Sequence, residues 1–505
     1  MNNKSPSLFS AISLGVGSVI GSGWLFACYY AAKDAGPGAI FSWILCAILN
    51  LLLSLLLIDI AIKHPAKSLF SRLLNISHNP SIGFVIAATN WLTMIMLIPS
   101  EATATVQYVS TLYPVLTATF YENGNLSGDG MLVTIILIII YAIINYLGIR
   151  ILTRVNNIIT IIKLVVPIIT SITIMIVAFH PENFTSYRGT MIPYGVDKIF
   201  TTIITSGMFY TFSCFYLVTT FAQELKNPKK TLPLALSLST IFSLIVFIFL
   251  QIAFIGAMNP SNVANGWHSL NFTSPLAQLA EIVGLNWLAL TLYADAILSP
   301  AGAGIIYTGV ATRMLNGMAD DKQVSKVFSK LHRKYNVSHN SLFASIAFSI
   351  FLVFFFNNWH KIMIASSVFI LLGALAIPIS FAKLNLKGRN PRNKLIKTSS
   401  QIASIACFYL ISYLLINSGT EALTIALVLE IAIFAIYIFN SKKYFGKLVF
   451  NQIMSAWTIF AYLVVIGFLS EMKDASQVSS KTFLVTFIVV ISTCYILLLK
   501  QENYK

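Results

Sequence analysis

Four glycines fall within nine residues, at Gly15, Gly17, Gly21 and Gly23, inside the first long apolar run of the chain. Such a stretch does not hold a regular helix, because each interior glycine costs about 1 kcal/mol relative to alanine. The segment Gly15 to Trp24 is therefore expected to break a membrane-spanning helix near the bilayer midplane. Backbone N–H and C=O groups freed by a break are tolerated in hydrocarbon only where they line a cavity or meet a bound polar group. The alternative is close helix packing, for which one GxxxG pair suffices. Four glycines exceed that need, and a binding site at the break is the reading taken.

Composition fixes the compartment. Of 505 residues, 57% are hydrophobic and 10% charged, where soluble domains carry about 25% charged residues. Apolar runs of about 20 residues, each long enough to cross about 30 Å of hydrocarbon, recur from end to end. Helical spans are expected at 8–32, 37–62, 82–108, 131–149, 155–179, 197–222, 232–258, 286–312, 341–356, 361–382, 398–416, 421–440, 451–470 and 481–499. The lipid bilayer is thus the chain's surroundings. The opening Met1-Asn2-Asn3-Lys4-Ser5-Pro6 has no A-x-A-like cleavage site after it, so the first helix is expected to be retained.

The formal charge of +16 could point to nucleic acid, and its placement decides otherwise. With the N-terminus inside, 26 of the 33 Lys and Arg residues fall in inner segments, and only Lys33, Arg188, Lys198, Lys361, Lys473 and Lys481 fall outside. That is the positive-inside pattern, with both termini cytoplasmic, and nucleic acid drops out as a partner. The five cysteines, Cys28, Cys46, Cys214, Cys407 and Cys494, are scattered, with no CxxC pair, so neither a disulfide framework nor a metal site is expected. The seven histidines show no metal-site spacing and read as loop or interfacial residues, with pH sensing as the alternative. No nucleophile elbow and no phosphate-binding GxxxxGK[ST] loop occurs, and an ATP-driven pump would need a nucleotide module. An enzyme is not expected.

The sixth span mirrors the first. It runs Gly207-Met208-Phe209-Tyr210-Thr211-Phe212-Ser213-Cys214-Phe215-Tyr216 and continues to Gln223-Glu224-Leu225-Lys226-Asn227-Pro228. Five helices separate the two starts, and an odd number inverts orientation. Spans one to five and six to ten are therefore expected to form two inverted repeats that meet at broken first helices.

Taken together these residues resemble the amino acid, polyamine and organocation transporter superfamily. The opening Gly17-Ser18-Val19-Ile20-Gly21-Ser22-Gly23 is similar to its broken first helix, and Glu224-Leu225-Lys226-Asn227-Pro228-Lys229-Lys230-Thr231-Leu232-Pro233 to a later signature. Gly21 to Ala27 with Ala35 to Leu45, and Asp295-Ala296-Ile297-Leu298-Ser299-Pro300-Ala301-Gly302, resemble the bacterial and archaeal branch that contains aspartate-proton symporters. The resemblance implies an all-α integral membrane protein with a LeuT-like core. Two inverted five-helix repeats would occupy residues 1–385, and about four additional C-terminal helices would occupy 386–505. It also implies the plasma membrane of a bacterium. Two departures stand out: Cys214 takes the place of an expected glycine, and Tyr216 a position often acidic in relatives.

An amino acid presents a carboxylate and an ammonium group to such a site. Free N–H groups and the positive dipole end of the second half-helix, from Ser22 through Gly23 to Leu25, suit the carboxylate. Carbonyls near Val19, Ile20 and Gly21, with others around Thr211 and Ser213, suit the ammonium. Phe209, Tyr210, Phe212, Phe215 and Tyr216 are read as gates over the ligand, with plain packing as the alternative. Uphill transport needs a coupling ion, and ionisable groups within the membrane are costly enough to require a reason. Lys163 lies mid-span before Pro167 and matches a fifth-helix lysine that, in proton-coupled members of the superfamily, stands in for a sodium ion. A structural ion pair is the alternative. Asp295 and Ser299 share one face of the eighth helix and belong either to the proton path or to a structural pair with Lys163. Glu101, after the helix-bending Pro99, is the second proton carrier considered.

The expectation is a secondary transporter that imports an amino acid with a proton by alternating access. No other cofactor is expected, and sodium is disfavoured beside Lys163. An acidic substrate, aspartate or glutamate, follows from the resemblance alone. The alternatives are an antiporter exchanging substrate for product and a passive channel. The sequence leaves a homo-oligomer open.

Overall fold

The computed structural model describes residues 8–64, 69–122, 124–147, 149–212, 227–387, 394–444, 450–475 and 478–501. The first span is two helices, α1 (Leu8–Val19) and α2 (Gly23–Ala35), separated by Ile20 to Ser22. A Gly36-Pro37-Gly38 turn, with Gly36 at φ 57°, leads into α3 (Ala39–Lys63). The short α4 (Leu69–Ser77) precedes α5 (Pro80–Ser110), whose N-terminus is capped by the Asn79 side chain accepting from the Ser81 and Ile82 N–H groups. Next come α6 (Pro114–Phe120), a two-stranded hairpin of β1 (Tyr121–Glu122) and β2 (Asn125–Leu126), α7 (Gly128–Tyr146) and α8 (Ile149–Val177).

The sixth span also breaks, into α9 (Val196–Thr205) and α10 (Met208–Phe212), with Gly207 at φ 79° in the gap. The chain continues with α11 (Pro228–Ala257), the short α12 (Pro260–Val263) and α13 (Pro275–Ile282), α14 (Asn286–Asp320), α15 (His339–Phe355) and α16 (Trp359–Lys387). Four further helices follow: α17 (Lys394–Ile416), α18 (Thr420–Tyr444), α19 (Phe450–Asp474) and α20 (Ser480–Lys500). Every expected span has helix at its place. Among the described residues ten helical stretches are long and apolar enough to cross a membrane, and α15 and the second half of α8 are shorter apolar helices.

Burial orders the bundle. The apolar length of α5 is buried throughout and that of α16 nearly so, whereas α7 and α20 leave most of theirs uncovered. The uncovered side chains are themselves apolar, as at Ile136, Ile140 and Ile143 of α7 and Phe351 and Phe355 of α15, which suits a hydrocarbon surrounding.

Two prolines free backbone carbonyls on helices beside the first break, and each carbonyl finds a donor. Pro99 supplies no N–H to Ile95, whose carbonyl accepts from Ser349 Oγ of α15 at 2.9 Å. Pro300 likewise leaves the Ala296 carbonyl to Thr105 Oγ1 of α5 at 3.0 Å. Helix α5 is thereby tied to α15 and α14 to α5.

Candidate functional site

At the first break the helical ladder stops and restarts. Gly21 N–H turns back to the Val19 carbonyl at 3.2 Å, and Leu25 N–H reaches the Ser22 carbonyl at 3.1 Å, which takes the Gly21 carbonyl out of the ladder. Ser22 N–H is given to Glu101 Oε2 of α5 at 2.6 Å. This N–H belongs to the positive end of half-helix α2, so a carboxylate there is electrostatically favoured. The glycines are required by contact. A Cβ on Gly21 would lie 2.7 Å from Glu101 Oε1, and one on Gly23 would overlap the Thr211 side chain.

A directed chain of hydrogen bonds converges on the same carboxylate. Trp359 Nε1–H can only donate, and it donates to Ser22 Oγ at 3.1 Å. That leaves the Ser22 hydroxyl hydrogen for Tyr210 Oη at 3.1 Å, and the Tyr210 hydroxyl donates in turn to Glu101 Oε1 at 2.9 Å. Ser100 Oγ lies 2.7 Å from the same Tyr210 oxygen. Ser22, Ser100, Glu101 and Trp359 have no exposure to solvent.

Three buried ionisable groups share this region. Lys163, on α8, donates from Nζ to the Gly17 carbonyl of α1 at 3.0 Å. It stands close enough to act electrostatically on both Glu101 and Asp295. Asp295 accepts from Ser299 Oγ at 2.8 Å, one turn along α14, and the indole of Trp24 is its other polar neighbour. Asp295 Oδ2 and Trp24 Nε1 are both buried without a hydrogen-bond partner among the described residues. One cation among two carboxylates, none accessible to water, is an arrangement whose charge balance changes with a single proton.

Aromatic rings pack beside the first break. Trp359 stacks on Phe26 at 4.3 Å, Tyr30 stacks on His360 at 4.2 Å, and Tyr210 meets Trp359 edge-on at 6.1 Å. Phe26 also stands edge-on to Tyr108 at 5.2 Å.

The structure brings together Val19, Ile20, Gly21, Ser22, Gly23, Tyr210 and Thr211 at the two breaks, with Glu101, Lys163, Asp295 and Ser299 around them. Phe209 and Phe212 are buried, and Phe212 packs against Trp43 and Phe247 of α3 and α11. Ser213, Cys214, Phe215 and Tyr216 lie outside the described residues, as does the signature from Glu224 to Lys226. Three details differ from the sequence reading. Ser22 N–H, expected to be open, faces Glu101, and the Val19 carbonyl already accepts from Gly21. The sixth span turns at Ser206 and Gly207, and Thr211 lies within α10 with its hydroxyl on the Gly207 carbonyl. Glycine at 207 reaches the positive φ that other residues avoid, which draws the turn there.

Trp359, Ser100 and Trp24 were not legible as site residues. Trp359 lies just before the apolar run expected for the tenth span, and an aromatic residue at a membrane boundary is ordinary. Glu430 of α18, a further buried carboxylate, accepts from Thr89 Oγ1 of α5 at 2.5 Å.

An all-α bundle with helices broken at symmetric places, a buried charge set at the break and an apolar exterior defines a multi-pass membrane transporter of the inverted-repeat class. The chain belongs to the amino acid permease family, whose model matches residues 7–500. It is 34% identical to the glutamate/serine transporter AimA of Bacillus subtilis, over 92% of this chain and 87% of that protein. To the aspartate-proton symporter of the same organism it is 31% identical, over 92% and 89%. The branched-chain amino acid permease BcaP is more distant, at 23% over 66% and 70%. The chain is an amino acid transporter of the bacterial type and not an enzyme.

Proposed function

We propose that this permease imports an acidic amino acid, aspartate or glutamate, together with a proton, by alternating access about the two broken spans. The observation that carries the reading is the joining of the buried charge set to the first break: Lys163 to the Gly17 carbonyl at 3.0 Å and Glu101 to the Ser22 N–H at 2.6 Å. In this reading the substrate lies between Val19 to Gly23 of the first span and Phe209 to Phe212 of the sixth, and Ser213 and Tyr216, outside the described residues, are assigned to the same substrate. Lys163 carries the coupling proton, and Glu101, Asp295 and Ser299 complete the path. A charged Lys163 holds α1 through Gly17 more strongly than the neutral amine, which keeps an N–H but loses the charge assistance, so protonation and helix position are coupled. A lysine at that place also disfavours sodium. The acidic substrate is supported by the names of two relatives above 30% identity, one a glutamate/serine transporter and one an aspartate-proton symporter.

The ten-helix core occupies residues 1–385 and the additional helices 386–505. Both termini are cytoplasmic in a bacterial plasma membrane, because the segments richest in Lys and Arg share the side of the termini. The test is uptake of a panel of radiolabelled amino acids into proteoliposomes, with and without an inward proton gradient and without sodium. Gradient-driven accumulation of aspartate or glutamate is expected. Uptake only into preloaded vesicles would make the protein an exchanger, and flux beyond turnover-limited rates would make it a channel. A requirement for sodium would overturn proton coupling.

A further inference from the structure

Helices α17 and α19 converge by directed bonds on one half-helix of the core, α9, besides single bonds from Ser404 to the Pro378 carbonyl of α16 and from Asn79 to Ser455. Asp197 lies in its first turn. Lys473, in the last turn of α19, donates to Asp197 Oδ1 at 3.0 Å and Oδ2 at 3.1 Å, and to Asn417 Oδ1, just past α17, at 2.5 Å. Asn417 Oδ1 also accepts from Thr201 Oγ1, one turn along α9, at 3.0 Å. Tyr413 of α17 donates to Asp197 Oδ1 at 2.7 Å, its ring lies 5.1 Å from the Lys473 ammonium, and it meets Phe200 of α9 edge-on at 5.4 Å.

The far end of α9 is held by other partners. Thr205 Oγ1 donates to Asp34 of α2 at 2.5 Å, and the Thr205 carbonyl lies 2.8 Å from His360 Nε2 of α16. Beyond Thr205 come Ser206 and Gly207, the latter at φ 79°, so the ten-residue helix ends at a turn able to act as a hinge. Two helices in contact with lipid need only apolar packing to stay together. Both helices pack on the core, α17 on α16 and α3 and α19 on α5, and at α9 they add a polar network of two helix ends on one half-helix. The Lys473 side chain is 19% exposed and that of Asp197 57%. Bonds this close to water are individually weak, so a movement of a few ångströms breaks them at small cost.

We propose that α17 and α19 are a clamp on the α9 half of the sixth span, and that Lys473 is the positioning residue that sets its closed position through Asp197 and Asn417. This gives the helices beyond the core a task in the transport cycle. The inference rests on the transport reading only in taking α9 as an element that moves.

The test measures α9 directly in the full-length protein in lipid. Spin labels replace Val196, the first residue of α9, and Trp287 at the start of α14, both exposed, after the native cysteines are changed to serine. Pulsed electron resonance then gives the distance distribution without substrate. The wild-type background is expected to show one dominant distance, kept by Lys473→Arg. Lys473→Gln and Asp197→Asn are each expected to raise a second population by roughly threefold, the scale of losing one half-exposed ion pair. The charge exchange Asp197→Lys with Lys473→Asp should restore the single distance, which a merely destabilised fold would not do. Unchanged distributions in both neutral variants would overturn the clamp, whatever the protein carries. A changed distribution in a protein that takes up no acidic amino acid would leave the clamp standing and remove the substrate assignment.

Discussion

Glu101 accepts the Ser22 N–H at 2.6 Å, so the first half-helix already faces an anion where a substrate carboxylate is expected. Two carboxylates cannot both be charged at that place without strong repulsion. Substrate arrival therefore favours a proton on Glu101 or its withdrawal from Ser22. Glu101→Gln keeps an acceptor for the Ser22 N–H but cannot titrate. Uptake by this variant is expected to persist within about tenfold of wild type, the range of one lost charge-assisted bond, with its dependence on external pH flattened. A pH profile of uptake identical to wild type would remove Glu101 from the coupling path.

Lys163→Ala removes the donor to the Gly17 carbonyl and a cation that acts on both Glu101 and Asp295. Accumulation against a gradient is expected to fall at least about tenfold, while exchange between loaded vesicles continues. Unimpaired proton-driven uptake by this variant would show that the lysine is structural.

Gly23→Ala drives a methyl group into the Thr211 side chain, with Oγ1 the nearest atom. Overpacking of this kind costs about 1–3 kcal/mol, so uptake should fall while membrane insertion stays normal. Adding Thr211→Ala should recover activity, and adding Thr211→Ser should not, because serine keeps the offending oxygen. Failure of Thr211→Ala to rescue would mean that the two breaks are not in contact at these residues.

Trp359→Phe keeps a ring against Phe26 but removes the N–H that Ser22 Oγ accepts. The loss of one buried hydrogen bond, about 1 kcal/mol, predicts a rise in KM of roughly fivefold with little change in thermal stability. Trp359→Ala also loses the stack and is expected to lower stability by about 3–5 kcal/mol. Thermal unfolding and uptake on the same preparations separate the two effects.

The membrane class, the places of the helices and a break at Gly21 are legible because each depends on near neighbours in sequence, although Gly15 and Gly17, expected within the break, lie in helix α1. Apolar runs set the spans, and glycines set the first break. In the sixth span free carbonyls are expected around Thr211 and Ser213, whereas the turn with positive φ falls earlier, at Gly207. Glu101 was singled out as a buried carboxylate, but nothing in Ile98 to Thr103 says that it meets Ser22. That contact joins residues 79 apart. Trp359 joins the same serine across 337 residues and carried no signal at all.

By itself the sequence determined what is local: which segments enter the bilayer, where glycine forbids a continuous helix, and which ionisable residues lie at a depth that demands a reason. The tertiary structure alone decided which of those residues meet. Apolar periodicity specifies that a helix is buried, but not which neighbour it faces, and a freed N–H or a buried carboxylate has many partners of equal chemistry along the chain. Only the packing of α5, α8, α14 and α16 around the break gave Ser22 to Glu101 and Trp359, and Gly17 to Lys163.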